Sequence, residues 1–121
     1  STLQEVGEGI EFFFEKPDYK NVSLVSKNEQ ADSTIDYLEN IIGLLSALND
    51  KKFDHLKIKK AVWSYAEEKG RGNVLWPFRV ALTGKKKSPD PFSISEILGQ
   101  KESLARLKHA ISYLKKNKKN H

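Results

Sequence analysis

Apolar residues between positions 35 and 48 recur three and four residues apart, the spacing that keeps side chains on one face of a helix. Ser33 precedes this face and is followed three residues later by Asp36, a pairing typical of a helix N-terminus. The pattern predicts a helix here, and its broad apolar face predicts that it is the central helix of the core. The apolar positions are Ile35, Leu38, Ile41, Ile42, Leu44, Leu45 and Leu48.

Two more helices are predicted in the middle of the chain. The first starts near Asp54 and ends at Gly70 and Gly72, which are predicted to form a turn because glycine commonly ends a helix. The next is predicted to hold Pro77 in its first turn, where the missing backbone N–H costs nothing, and to end at residues 83–84.

Another two helices are predicted in the last third of the chain. Residues 92–98 form a short helix that Gly99 ends. The final helix carries one apolar stripe, after which the basic residues 115–121 are predicted to fray and to have no fixed structure. The stripe consists of Leu104, Leu107, Ile111 and Leu114.

The beginning of the chain adds a helix over residues 3–14, with three consecutive phenylalanines as core anchors, and a connector over residues 16–27. No run of strand length alternates between apolar and polar residues. The pattern therefore predicts a single all-α domain over residues 1–114, followed by the basic tail. The phenylalanines are Phe12, Phe13 and Phe14.

The composition fits one folded domain. The chain has 121 residues and a mass of 13.8 kDa, and 38% of its residues are hydrophobic, so it is long enough to bury a single core. The absence of cysteine excludes disulfides and thiolate zinc sites. The longest apolar run is too short to span a bilayer, and no signal peptide is visible. Because there is no methionine, we expect the chain to be part of a longer protein.

Charge is distributed unevenly along the chain. The first 50 residues hold three lysines against ten acidic residues, whereas residues 51–121 hold eighteen Lys and Arg against six acidic residues. Lysine and arginine gain affinity for a phosphate polymer by releasing its condensed counterions. The second half is therefore a candidate nucleic-acid surface, although lysine-rich helices are also common as solvated faces.

Two stripes share the helix that contains Pro77, and they lie roughly 120° apart at about 100° per residue. The polar stripe, Trp76, Arg79 and Thr83, is predicted to face outward, where an indole, a guanidinium and a hydroxyl suit an unpaired base. From the residues alone a second interpretation stays open, in which Trp76 packs beside its neighbours and Arg79 pairs with an acid such as Asp90 or Glu96. The apolar stripe consists of Leu75, Phe78, Ala81 and Leu82.

The sequence W-P-F-R-V-A-L-T-G over residues 76–84 is followed by K-K-K-S-P-D-P-F over residues 85–92, then by I-L-G-Q-K-E at 97–102 and L-A-R-L at 104–107. These segments resemble the anticodon-binding domain of bacterial-type class I glutamyl-tRNA synthetases, whose signature reads close to W/Q-P-L-R-V-A-L-T-G and then S/T-P-G-L-F. The resemblance implies an all-α bundle of about five to six helices, of the helical-cage type.

The resemblance also implies roles for individual residues. Arg79 matches the arginine that contacts anticodon bases, and Trp76 and Ser88 match two further residues of that site. Pro91 stands where the family often has leucine; it offers an apolar contact but no backbone donor. Asp90 replaces a glycine and adds negative charge beside the RNA.

Three lysines follow the signature directly and are candidate phosphate contacts. They are Lys85, Lys86 and Lys87.

No catalytic site is predicted in this chain. The three histidines lie in ordinary surroundings without a nucleophile elbow, no His and acid cluster has metal-ligand spacing, and the H-I-G-H and K-M-S-K-S signatures of class I synthetases are absent. The resemblance implies that glutamate is activated with ATP and Mg²⁺ in an upstream domain outside this chain. The chain itself is expected to need no cofactor or metal. The histidines are His55, His109 and His121.

The predicted partner is tRNA(Glu), with L-glutamate and ATP reached only through the absent domain. We expect a monomer with no membrane contact, in the bacterial cytoplasm or in an organellar matrix or stroma. Two other classes stay open. The turn at residues 70–72 could belong to a helix-turn-helix DNA-binding protein, or the acidic first half could dock a basic protein.

Overall fold

The computed structural model describes residues 15–117, and within that range the regular structure is five α-helices and one 3-10 turn. This confirms the predicted all-α fold. The predicted helix over residues 3–14, with its three phenylalanines, lies outside the described residues. The elements are α1 (Ala31–Ser46), a 3-10 turn (Asp50–Lys52), α2 (His55–Lys69), α3 (Arg71–Thr83), α4 (Pro91–Leu98) and α5 (Gln100–Asn117).

Helix α1 begins earlier than its apolar face indicates. Gln30 is the N-cap residue, and Ser33 completes a capping box with it, so the predicted cap at Ser33 and Asp36 is wrong. Ser33 lies at the third helical position, where its hydroxyl accepts from the Gln30 backbone N–H at 3.2 Å. The apolar face is confirmed, because Ile35, Leu38 and other members of the stripe are buried.

The connection between α2 and α3 is shorter than predicted. Asp54 caps α2 by accepting from the Lys57 backbone N–H at 2.9 Å, and Gly70 ends the helix with φ = 102°. Gly72 is already inside α3, so the predicted two-glycine turn is wrong and Gly70 alone joins the helices. Pro77 consequently lies in the interior of α3 rather than in its first turn, at a position where proline removes one helical hydrogen bond.

Helix α3 occupies the centre of the bundle. It packs against each of the other four helices, whereas α1 packs mainly against α5, α3 and α2. The predicted central position of α1 is therefore wrong. Phe78, Val80, Ala81 and Leu82 of α3 are fully buried, as the apolar stripe predicted for three of them.

Helices α4 and α5 follow the predicted pattern with one difference. Gly99, with φ = 86°, separates them, as expected. Leu107, Ile111 and Leu114 are buried on the predicted stripe. Helix α5 extends to Asn117, because Leu114 still packs in the core, so residues 115–117 are helical where no fixed structure was predicted.

The connector before α1 contains no helix, as predicted, but it contributes to the core through Tyr19 and Leu24. It crosses the C-terminal end of α3, where Gly84 adopts the left-handed conformation with φ = 67°. A Cβ at Gly84 would lie 2.8 Å from the Asp18 carbonyl oxygen. Glycine is required here for its conformation and for this close approach.

Candidate nucleic-acid interface

Trp76 and Arg79 lie one turn apart on α3, and both side chains are partly exposed. The guanidinium carbon of Arg79 lies 5.2 Å from the centroid of the Trp76 ring. This is the distance of a cation–π contact, which holds a planar cation against an aromatic face. The pair forms one continuous polar and aromatic surface on the outer side of α3.

Arg79 also fixes the loop that follows α3. Its Nη1 donates to the Ser88 hydroxyl at 2.9 Å, and its Nη2 donates to the Lys86 carbonyl at 2.9 Å. The structure therefore brings together Trp76, Arg79 and Ser88, three residues that the sequence assigned to one site. Partial burial lowers the pKa of the Arg79 guanidinium, but arginine stays charged at neutral pH.

The two acids considered as partners for Arg79 are engaged elsewhere. Asp90 caps α4, accepting from the Ser93 backbone N–H at 2.9 Å and from the Ser93 hydroxyl at 2.9 Å, and its Oδ1 lies 3.4 Å from Nε2 of His55. Glu96 accepts the backbone N–H of His55 at 2.8 Å. The interpretation in which either acid pairs with Arg79 is wrong.

Contacts within the fold favour the charged form of Asp90. Burial alone raises the pKa of this carboxyl, but the hydrogen bonds from Ser93 and the nearby His55 together lower it below its usual range. Its carboxylate thus serves as the N-terminal cap of α4, where negative charge is favourable. The negative charge predicted for this position is thus present, and it caps a helix while its side chain stays 49% exposed.

Trp76 is oriented by the connector. Its indole N–H donates to the Ser23 carbonyl at 2.8 Å, and part of the ring packs against the core. The interpretation in which Trp76 packs beside its neighbours is correct in part, because the residue is partly buried against the core. The indole N–H is therefore engaged by the Ser23 carbonyl and is not free for another acceptor.

Two residues assigned to the site do not reach the surface. Thr83 is 2% exposed, and its hydroxyl donates to the Arg79 carbonyl at 3.1 Å and accepts the Lys85 backbone N–H at 3.1 Å. The outward position predicted for Thr83 is wrong, because the connector at Pro17 and Asp18 closes over this end of α3. Pro91 is buried at the start of α4, so it does not present the predicted apolar contact surface.

The three lysines differ in exposure. Lys86 and Lys87 are exposed, whereas Lys85 is half-buried. Arg79 donates hydrogen bonds to the Lys86 carbonyl and to the Ser88 hydroxyl. These bonds fix the backbone of the lysine-bearing loop beside Arg79. Basic side chains therefore border the Trp76 and Arg79 surface.

Two buried residues stabilise the end of α3 and were not anticipated from the sequence. The Tyr19 hydroxyl donates to the Ala81 carbonyl at 2.6 Å, and Nη1 of Arg106 donates to the Leu82 carbonyl at 2.8 Å. Both carbonyls belong to the last turn of a helix, where no intrahelical donor remains. A lone tyrosine in a connector and an arginine in a basic helix give no sequence signal for this role.

The described residues provide neither a metal site nor a membrane span. Between residues 15 and 117, no three His, Asp or Glu side chains are grouped so that they could hold a metal ion. None of the helices in that range combines the length and the apolar character that a bilayer crossing requires.

Residues 1–111 match the profile of a protein family described as "Anticodon binding domain". Among curated proteins, the chain is similar to the glutamate–tRNA ligase of Clostridium acetobutylicum, with 34% identity over 119 residues that cover 94% of this chain and 24% of that protein. The glutamate–tRNA ligase of Bacteroides fragilis is 33% identical over 117 residues, covering 95% and 23%.

A solved structure also resembles this fold. The crystal structure of a glutamate tRNA ligase from Elizabethkingia meningosepticum in complex with its amino acid superposes with a TM-score of 0.72 at 28% sequence identity, covering 93% of this chain and 22% of that one. The chain spans about a quarter of the length of the curated relatives that it matches. The matched region is the carboxy-terminal part of those relatives.

Proposed function

The chain belongs to the anticodon binding domain family and is homologous to the carboxy-terminal part of glutamate–tRNA ligases, and from this premise we propose that it binds tRNA(Glu) and recognises its anticodon loop. Single-stranded loops are where proteins read RNA sequence, because unstacked bases expose their edges and faces. On the Trp76 and Arg79 surface, the Trp76 ring can contact the face of a base and the Arg79 guanidinium can donate to its edge.

One observation carries the proposal. Arg79 is held in place by Ser88 and Lys86 and lies against Trp76, yet its guanidinium has more N–H donors than the two that these loop residues accept. A planar fork fixed in this way is prepared for a base edge or a phosphate before the ligand arrives. Its preorganisation reduces the ordering cost of binding.

The proposed mechanism is positional. A base of the anticodon loop stacks beside Trp76 while Arg79 donates to its edge, and Lys86 and Lys87 contact the loop phosphates. A wrong base leaves a donor of Arg79 without an acceptor, and an unsatisfied buried donor costs free energy. Ser88 contributes by holding Arg79 and by its own hydroxyl.

We propose that the longer protein is a glutamate–tRNA ligase, which attaches L-glutamate to tRNA with ATP and Mg²⁺. We propose that the steps with ATP and Mg²⁺ take place in a catalytic domain outside this chain. The role of this chain in that reaction is to hold the tRNA by the anticodon of the tRNA. The bacterial relatives favour action in a bacterial cytoplasm, or in an organelle of bacterial origin, and we propose a monomer.

The test is equilibrium binding of the chain, at one fixed salt concentration, to tRNA(Glu) and to the same tRNA with its anticodon replaced. The variants are Arg79→Ala and Arg79→Lys; the second keeps the charge but removes the planar fork. We expect the wild type to prefer the native anticodon and both variants to lose that preference, with Arg79→Lys retaining more overall affinity. Equal binding of both tRNAs by the wild type would contradict the proposal.

The structure does not support the helix-turn-helix alternative. A recognition helix needs a long exposed face to lie in the major groove, whereas seven of the thirteen residues of α3 are buried. A protein-docking role for the acidic first half predicts no tRNA affinity at low salt. The same binding assay therefore separates it from the proposal.

A further inference from the structure

A second group of cations and an aromatic ring lies away from Arg79, on α2 and the start of α3. Nζ of Lys59 lies 5.0 Å from the centroid of the Trp63 ring, and the guanidinium carbon of Arg71 lies 5.6 Å from the same ring. Lys59 and Trp63 are one helical turn apart, while Arg71 reaches the ring from the first position of α3. One indole thus gathers two cations from two helices.

Among the residues that the structure describes, these cations have no acidic partner. Within residues 15–117, none of the salt bridges involves Lys59 or Arg71, and both side chains are exposed. An open groove of about 450 Å³ lies beside Trp63, and the side chains lining it include Lys59 and Lys60 but no acid. Two like charges held near one ring repel each other, so an anion close to either cation would be favourable.

The second group adjoins the first surface through the core. The Phe92 ring lies 6.4 Å from Trp63 and 6.2 Å from Phe78, the residue that precedes Arg79 on α3. Phe92 follows the loop that carries Lys86 and Ser88 and is buried at the start of α4. Both surfaces are therefore backed by one cluster of aromatic rings, formed by Trp63, Phe92 and Phe78.

We propose that Lys59, Arg71 and Trp63 form a second RNA site, which binds the phosphate backbone outside the anticodon bases. This inference rests on the proposed function. Lys59 and Arg71 contact phosphate, and Trp63 is a positioning residue that holds the two cations together. Two cations alone bind phosphate weakly, but an RNA already held at Arg79 is present at high effective concentration, so a weak second site adds affinity.

The chemistry favours a phosphate backbone over an acidic protein segment. The groove is open rather than enclosed, so it lacks the deep pocket that anchors a protein partner, although Leu56, which is 75% exposed, adds apolar surface to it. A phosphate needs only charge and N–H donors, which an ammonium and a guanidinium supply. The site should therefore be indifferent to base sequence.

The experiment measures the affinity of the full chain for tRNA(Glu) and for the tRNA with a replaced anticodon over a range of salt concentrations. The variants are the double substitution Lys59→Gln with Arg71→Gln, and, separately, Trp63→Leu and Trp63→Phe. The matched control is Lys101→Gln with Lys116→Gln, which removes two exposed cations from α5. Circular dichroism confirms that each variant is folded.

We expect the double substitution to weaken binding of both tRNAs equally, by roughly tenfold at low salt, and to reduce the salt slope by about 1 to 2. The ratio between native and replaced anticodon should stay at the wild-type value. Trp63→Leu should weaken binding although both cations remain, and Trp63→Phe should restore it because the ring is retained. The control should leave the slope nearly unchanged.

Three results would overturn the proposal. These are a wild-type salt slope in the double variant, an equal loss of affinity in the control, or weakened binding of polyglutamate with unchanged binding of RNA, which would assign the site to an acidic protein segment. If the double variant keeps the anticodon preference and also keeps the wild-type salt slope, only the inference of a second RNA site fails. Absence of any anticodon preference in the wild type would instead remove the proposed function.

Discussion

The Ser88 hydroxyl accepts a hydrogen bond from Arg79 at 2.9 Å, nine residues earlier in the chain. The same hydroxyl donates to the Pro89 carbonyl at 3.0 Å, so its orientation is fixed by both contacts. Residues on α3 and on the loop after it are thereby joined before any ligand binds. Loss of Arg79 leaves the Ser88 hydroxyl only its bond to Pro89, and loss of Ser88 leaves Arg79 its bond to Lys86.

Arg79→Ala should reduce the preference for the native anticodon by about 1 to 3 kcal/mol, the range for a bidentate contact to a base. Ser88→Ala should reduce the preference by less, because Arg79 keeps the Lys86 carbonyl as an acceptor. The measurement is the difference in binding free energy between the two tRNAs for each variant. A larger loss for Ser88→Ala than for Arg79→Ala would contradict this ordering.

Gly84→Ala should lower the free energy of unfolding by about 1 to 3 kcal/mol, because alanine resists the left-handed conformation and its Cβ would meet the Asp18 backbone. Gly43→Ala is the matched control, since Gly43 is inside α1 and a Cβ there meets nothing within 4 Å. It should raise stability by about 0.5 to 1 kcal/mol. Urea denaturation followed by circular dichroism measures both changes, and equal signs would be inconsistent with the structure.

Tyr19→Phe should destabilise the fold by about 1 to 3 kcal/mol, because it leaves the buried Ala81 carbonyl without its donor. Tyr37→Phe serves as the control. The Tyr37 hydroxyl donates to the Glu29 carboxylate at 2.6 Å, in a less buried part of the structure, and its loss should cost less. The comparison uses free energies of unfolding at neutral pH. Similar losses for the two variants would show that the Ala81 carbonyl finds another donor.

The lowered pKa of Asp90 makes the stability of the fold pH-dependent. The carboxylate form is favoured in the folded state, so its stabilisation is present above the unfolded pKa of about 3.9 and is lost as pH falls through the folded value. Asp90→Asn should therefore be less stable than the wild type at pH 7, and the gap should close in acid. Asp50→Asn, in the exposed 3-10 turn, is the control. A gap that is constant with pH would contradict this assignment.

The helical pattern predicted most elements, because apolar spacing directly reflects which face packs. The helix starts were less predictable. Gln30 gives a weaker capping signal than Ser33, and Gly72 reads as a helix terminator although α3 continues through it. The position of Pro77 was then predicted incorrectly, since it was inferred from a helix start placed too late. These errors concern local signals that tertiary packing overrides.

The structure brings together Trp76, Arg79 and Ser88 of the predicted site, but it buries Thr83 and Pro91. Arg79 and Ser88 match a family signature, and their spacing allows them to meet. Thr83 and Pro91 belong to the same segment, but burial depends on what covers them, and the connector that covers Thr83 is distant in the sequence. Periodicity within one helix carries no information about a segment that crosses it. The spacing of four residues between Lys59 and Trp63 predicts that they are neighbours on one helix, whereas the sequence does not predict the approach of Arg71 from the next helix.

The hydrogen bond from Tyr19 to the Ala81 carbonyl joins residues 62 positions apart, and the one from Trp76 to the Ser23 carbonyl spans 53. Closing such long loops costs chain entropy before the contacts repay it. The conformation of the signature segment is therefore set by the other end of the chain. A peptide that contains only the segment around Trp76 and Arg79 would keep the signature sequence but lose its conformation. The proposed anticodon recognition therefore cannot be transferred to another protein without the rest of the domain.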